Sequence, residues 1–354
     1  MASDMPQASE KLVFDTKGDV LLIFTRRSED EETGKGSPIK SSIPKRKSPH
    51  DASNTITILI SSRHMALASP VFDAMLAHEK FKEGFELKTS PKVEITLPDD
   101  DPIAFEILAS VIHHRNKSIP KSVSFKLLTN LAALTEKYLM HEALHIVSQL
   151  WVDNVSTDHS SLPSGQADLR KICPSIFISW VFGNQHGFNI CTEFAILHSK
   201  ENFGSDFTDQ YLLPTSIITE IKNARIKAFD EVFSALNNAF VQRTGPHSLC
   251  DVADEHCDFL TMGSLIQNAA DNGFWPFPRE PHIGKTVSEL FCGISKFDID
   301  TICRDGRCPN RVNFEETTLR GITNIQSQIR GLSVENFPRE SNTQYHIHGT
   351  LHWS

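Results

Sequence analysis

The sequence predicts an α+β N-terminal part, residues 12–155, followed by a mainly α-helical C-terminal part, residues 169–340. Three observations carry this expectation. Runs of β-branched or alternating apolar residues suited to strands stand at 19–24, 55–60 and 92–97. Between and after them, apolar residues recur three and four apart, as on the buried face of a helix. A Leu162-Pro163-Ser164-Gly165 segment then reads as part of a linker, residues 156–168.

Taken in order, residues 1–11 are expected to be disordered. The first strand, DVLLIF, follows the turn-like Thr16-Lys17-Gly18. Residues 28–54 begin acidic (Glu29-Asp30-Glu31-Glu32) and then become rich in Gly, Ser, Pro and Lys. Such a stretch buries too little apolar surface to offset its ordering entropy, so it reads as a disordered insertion in place of a hairpin turn. The strand 55–60 comes next, then two short helices carrying Met65, Leu67, Val71, Phe72, Met75 and Leu76. Ser69 is placed to cap the second helix, and Pro70 suits its first turn. Residues 79–91 read as a polar connection. Val93, Ile95 and Leu97 share one face of a third strand. Asp101-Pro102 then predicts a capped helix start, with Phe105, Leu108, Ala109 and Ile112 on the buried side. Helices are expected at 122–139 and 142–155.

These residues resemble a known family. Gly18-Asp19-Val20, the hinge SSRHMALASPVFDAML, the segment ITLPDDDPIAFEILASVIHHR and the closing LAALTEKYLMHEALHIVSQLW are similar to BTB/POZ domains, and LASPVF with LPDDDPIAF to those of filamentous fungi in particular. The resemblance covers about residues 12–155. It implies a small mixed sheet capped by helices and an activity of binding proteins without catalysis. It also implies self-association, and a cullin as one kind of partner, through Asp19, Phe72, Met75, Phe105 and His113. That would make the chain a substrate adaptor of a cullin-type ubiquitin ligase, with a nuclear scaffold or transcriptional cofactor as the alternative. Where many members carry His followed by a basic residue after the second strand, this chain has Ser61-Ser62. A deeply buried Asp19 would then be an unpaired charge, which is costly and sets this chain against the usual obligate dimer.

Beyond the linker, helices are expected at 169–183, 188–199, 217–240, 254–270, 287–297 and 314–329, with a tail at 341–354. In the strongest, Ile218, Ile221, Ala224, Ala228, Val232, Ala235, Leu236 and Phe240 trace one stripe. Phe274-Trp275-Pro276-Phe277-Pro278 forms an aromatic corner, either a docking site or a core plug.

Three patterns bear on chemistry. His141-Glu142-Ala143-Leu144-His145 is the H-E-x-x-H pattern of zinc hydrolases, with two His on one helical face, but no third ligand follows nearby and a closing helix explains the same residues. Cys250, Cys257, Cys303 and Cys308, with His247 and His256 close in sequence, read either as a structural zinc site or as buried or free thiols. Lys45-Arg46-Lys47 in the insertion reads as a solvated charge run or an import signal. No Walker loop, dinucleotide glycine fingerprint or G-x-S-x-G elbow occurs, so no enzyme activity or cofactor is expected.

The net charge of -9 argues against binding nucleic acid along the whole chain. No apolar run reaches the ~20 residues of a membrane-spanning helix. MASDMPQASEK lacks the order of a signal peptide, and the seven cysteines are few and odd in number for a disulfide scaffold. The expected setting is intracellular, in the cytoplasm, the nucleus or both, with proteins as partners.

Overall fold

A computed structural model describes residues 10–25, 55–77, 81–159, 169–204, 213–252, 254–277, 282, 284–303 and 308–339. The expected insertion at 28–54 with its basic run, the Leu162–Gly165 segment and the tail at 341–354 lie outside the described residues. The chain divides into two compact units, the second spanning Leu162–Pro338. The first is α+β and the second is helical. No helix among the described residues is long and apolar enough to cross a membrane.

The first unit is built on a four-stranded mixed sheet of order β1-β3-β2-β4. Its strands are β1 (Glu10–Val13), β2 (Val20–Thr25), β3 (Thr55–Ile60) and β4 (Val93–Thr96). β2 and β3 pair antiparallel, Leu22 opposite Ile58 and Phe24 opposite Ile56. β1 runs parallel to β3, and β4 parallel to β2. Val20, Leu22 and Phe24 are all buried, because residues two apart share a face. Gly18 precedes β2 because a Cβ there would stand 2.6 Å from the Ile60 carbonyl oxygen.

Helices α1 (Ser62–Ala68) and α2 (Pro70–Ala77) leave β3 directly. The Ser69 hydroxyl accepts the Phe72 N–H at 3.1 Å and donates to the Tyr138 carbonyl at 2.6 Å, so the expected cap also ties this hinge to the closing helices. Helix α4 (Pro102–Ile112) starts as expected: Asp101 accepts the Ala104 N–H at 2.8 Å and the Asn130 amide at 2.7 Å. Helices α5 (Phe125–Lys137) and α6 (His141–His159) close the unit. Helix α5 begins at its Ser124 cap rather than at residue 122, because the Ser124 hydroxyl takes the Leu127 N–H.

Two elements were not expected. Glu10 and Lys11 fall in the predicted disordered N-terminus yet belong to β1, whose backbone pairs with β3. The segment read as a polar connection contains α3 (Lys82–Thr89). Its large apolar residues are Phe85 and Leu87, two apart, so no three-four stripe marks it. It is held by packing on α2 and β4, with Gly84 buried.

In the second unit, α7 (Leu169–Val181) and α8 (Gln185–His198) pack together, and α9 (Thr215–Arg243) runs through the core. Ile217, Ile221, Ala228, Phe229, Val232, Leu236 and Ala239 form its buried stripe. Helices α10 (Asp254–Asp271) and α11 (Val287–Ile294) pack on it. The last expected helix is a composite: α12 (Pro309–Asn313), a wider π-turn at Phe314–Leu319, then α13 (Arg320–Gln328). Of the aromatic corner, Phe274 is buried while Trp275 is half-exposed against Phe240 and Phe277. Phe274 thus plugs the core, and the neighbouring rings line its edge.

Gly331 and Gly321 offer a paired test. A Cβ at Gly331 would lie 1.7 Å from the Asn189 carbonyl oxygen, whereas one at Gly321 in α13 meets nothing within 4 Å. Gly331→Ala is expected to destabilise by about 1–3 kcal/mol. Gly321→Ala is expected to be neutral or stabilising by up to about 1 kcal/mol. Urea unfolding of the two variants checks both signs.

Candidate functional site

Two groups of residues bear on function, one in each unit. In the first unit, the side chains expected at a partner surface divide by burial. Phe72 and Phe105 have no exposed area. Their rings pack on each other at 6.3 Å and on Tyr138 at 4.9 and 5.9 Å, and Phe105 also meets Phe24 at 5.2 Å. They hold α2, α4 and the sheet together and present nothing to a partner. Met75 is half-buried.

Asp19 is half-buried and well partnered. It accepts the Ser62 N–H at 2.8 Å and the Ser62 hydroxyl at 2.6 Å. The serine at the start of α1 thus supplies by hydrogen bonding what a basic residue would supply by charge, and Asp19 is not the unpaired charge its neighbours implied. His113 joins the end of α4 to the exit of β3. Its Nδ1 bonds the Ala109 carbonyl at 2.9 Å, and its Nε2 accepts the Ser61 N–H at 3.1 Å. That pattern requires the neutral imidazole. Burial holds its pKa below the ordinary 6.5, opposed by the Ala109 bond and reinforced by His64, whose ring stacks at 5.0 Å.

In the H-E-x-x-H segment, His141 Nε2 bonds Glu136 at 2.9 Å and His145 meets Gln149 at 3.3 Å. Among the described residues the segment gathers no third donor. The group of His, Cys, Asp or Glu that could share an ion lies elsewhere, in the second unit.

That group is Cys250, Cys257, Cys303 and Cys308, whose sulfurs all lie within 4.8 Å of one another. Cys250 Sγ is 3.4 Å from Cys303 Sγ, and Cys257 Sγ is 3.5 Å from Cys308 Sγ. Each comes from a different local structure. Cys250 sits in the turn after α9, held by its N–H to the Ser248 hydroxyl at 3.1 Å. Cys257 lies in the first turns of α10, Cys303 in the loop after Asp300, and Cys308 is the N-cap of α12. His247 and His256, near them in sequence, are exposed and outside the group.

Burial raises the Cys257 thiol, but bonds from the Ile302 backbone, Asn310 and neighbouring sulfurs outweigh it and hold its pKa below the ordinary 9.0. The hydrogen bond with Cys250 pushes Cys303 up to about 12, with burial adding to it. Burial also raises Cys308, against bonds from the Asn310 and Arg311 backbone. The neighbouring thiols thus differ, Cys257 held down and Cys303 and Cys308 held up.

Sequence reasoning missed the polar layer that positions this corner. Asp258 is buried and accepts the Leu249 N–H at 3.1 Å and the Asn310 amide at 2.6 Å. Arg243 is buried at the end of α9 and donates to the Ala239 carbonyl at 2.7 Å and the Asn310 carbonyl at 2.9 Å. The available signal was adjacency: Asp258 follows Cys257, and Asn310 stands two residues after Cys308.

His113 gives a pH dependence with a definite sign. Its folded pKa lies below 6.5, so its contribution is intact above that value and is lost as pH falls through it, when the unfolded chain takes up the proton first. His64, Asp15 and Arg115 also act on this ring. The wild type is expected to lose more stability between about pH 7.5 and about pH 5 than His113→Gln does, measured by urea unfolding.

No protein-family model matches the chain, and no curated protein matches it significantly.

Proposed function

We propose that this chain is a non-catalytic protein–protein interaction protein, with a BTB/POZ-like first unit that acts as a substrate adaptor for a cullin-type ubiquitin ligase inside the cell, and a helical second unit that holds the captured protein. The observation that carries the reading is a set of large apolar side chains left in solvent on the sheet-flanking helices. Leu67 of α1 is 89% exposed, and Phe85 of α3 and Ile103 of α4 are each 58% exposed. A partner that covers these side chains gains roughly 1.5–3 kcal/mol for each one fully buried. The order of elements supports the reading too: a mixed sheet, a helix pair leaving β3, and helices α4 to α6 closing the unit. With Phe72 and Phe105 in the core, the contact moves to Leu67 and Ile103, on α1 and α4 beside them.

The test titrates the full chain with a cullin N-terminal domain. Binding at about 1 μM or tighter is expected, weakened about tenfold or more by Leu67→Asp with Ile103→Asp at unchanged unfolding midpoint. Phe72→Ala is expected to act differently, lowering stability by about 3–5 kcal/mol. An absence of binding at about 100 μM overturns the adaptor reading.

A further inference from the structure

We propose that Cys250, Cys257, Cys303 and Cys308 bind one zinc ion through their four sulfurs, as a structural site that ties the segment before α12 to the corner between α9 and α10. A tetrahedral ion with zinc–sulfur bonds of about 2.3 Å sets its sulfurs about 3.8 Å apart. Here two pairs stand at 3.4 and 3.5 Å and every pair lies within 4.8 Å. The four sulfurs are therefore close enough to share one ion, and side-chain adjustment brings them to its tetrahedral spacing. A disulfide needs about 2.05 Å, so these are separate sulfurs brought to one point.

The donor set narrows the metal to one that takes thiolates, of which zinc is the structural ion among redox-inert choices. Four sulfurs and no oxygen suit zinc and exclude calcium and magnesium, which take oxygen ligands. All four positions are protein sulfurs and three of the cysteines are buried, so no position is left open for a substrate water. The site is thus structural rather than catalytic.

The surroundings match that role. Cys250, Cys257 and Cys308, with Cys303 against them, form a cluster apart from the main apolar core of the unit. The segments that carry them are otherwise joined by polar contacts: Leu249 and Asn310 to Asp258, Arg243 to Asn310, and Thr261 to the Asp300 carbonyl at 3.1 Å. These bonds orient the ligand-bearing turns, as outer-shell partners do around zinc. An ion at the centre joins segments that are distant in sequence where little apolar packing does so.

The experiment measures metal on the full chain purified under reducing conditions without added chelator. About one zinc per chain is expected, and exchange for cobalt is expected to give the intense visible bands of a tetrahedral thiolate site. The Cys257→Ser/Cys308→Ser double variant should lose zinc at least about tenfold, while Cys292→Ser, at an exposed thiol on α11, should keep it. Zinc retained by the double variant would overturn the proposal, because the ion would then sit elsewhere. A metal-free chain with the mass of two disulfides would overturn it as well. If the double variant does not fold, cobalt titration of chelator-stripped wild type decides: sulfur-to-cobalt absorption is expected, and its absence refutes the site.

Discussion

Buried guanidinium charge held by backbone oxygens constrains the second unit. Helix α9 carries Arg225 and Arg243 inward, the first within an otherwise apolar stripe and the second at its end. Arg225 donates to the carbonyls of Ser199, His282 and Lys285 at 3.2, 2.7 and 2.7 Å, and stacks on the Phe229 ring at 4.9 Å. Arg243 does the same for Ala239 and Asn310. A guanidinium left unsatisfied in such a place is costly, so the loops after α8, before α11 and at the start of α12 are drawn to fixed positions around the helix. The apolar stripe decides that α9 is buried, and the two arginines decide which loops meet it.

The first unit uses short polar side chains for the same purpose. Ser69, Asp101 and Ser124 each take an amide at a helix start, and Ser62 with Asp19 joins the start of α1 to the start of β2. Two of these reach further. Ser69 holds the Tyr138 carbonyl and Asp101 holds Asn130, so each cap also fixes a later helix. Tyr138 in turn donates its hydroxyl to buried Asp100, which also takes Lys137 at 2.6 Å. The aromatic group of Phe24, Phe72, Phe105 and Tyr138 fills the space these bonds leave. This explains why Phe72 and Phe105 serve the core: their positions in α2 and α4 point at the sheet, and the outward positions fall to Leu67 and Ile103.

The cysteine corner and the exposed apolar side chains are independent features of different units. One concerns how a loop-rich end of the helical unit is held, the other what the α+β unit meets. Either proposal can fail while the other stands. They share a physical theme: places where the chain has gathered donors or apolar surface beyond what its own core uses.

The sequence by itself determined the α+β order, the long α9 stripe and the helix starts at Ser69 and Asp101, because alternation, three-four spacing and capping residues are local signals. It also named the four cysteines. It did not reveal β1 or α3, whose few apolar residues set no period and which exist through pairing with β3 and packing on α2 and β4. Only the tertiary structure decided that Asp19 is answered by Ser62, that Phe72 and Phe105 face inward, and that Cys250 and Cys257 meet Cys303 and Cys308. The reason is physical. A contact between residues tens of positions apart is set by how whole helices pack and where buried polar groups find partners, and neither is written in the spacing of one segment.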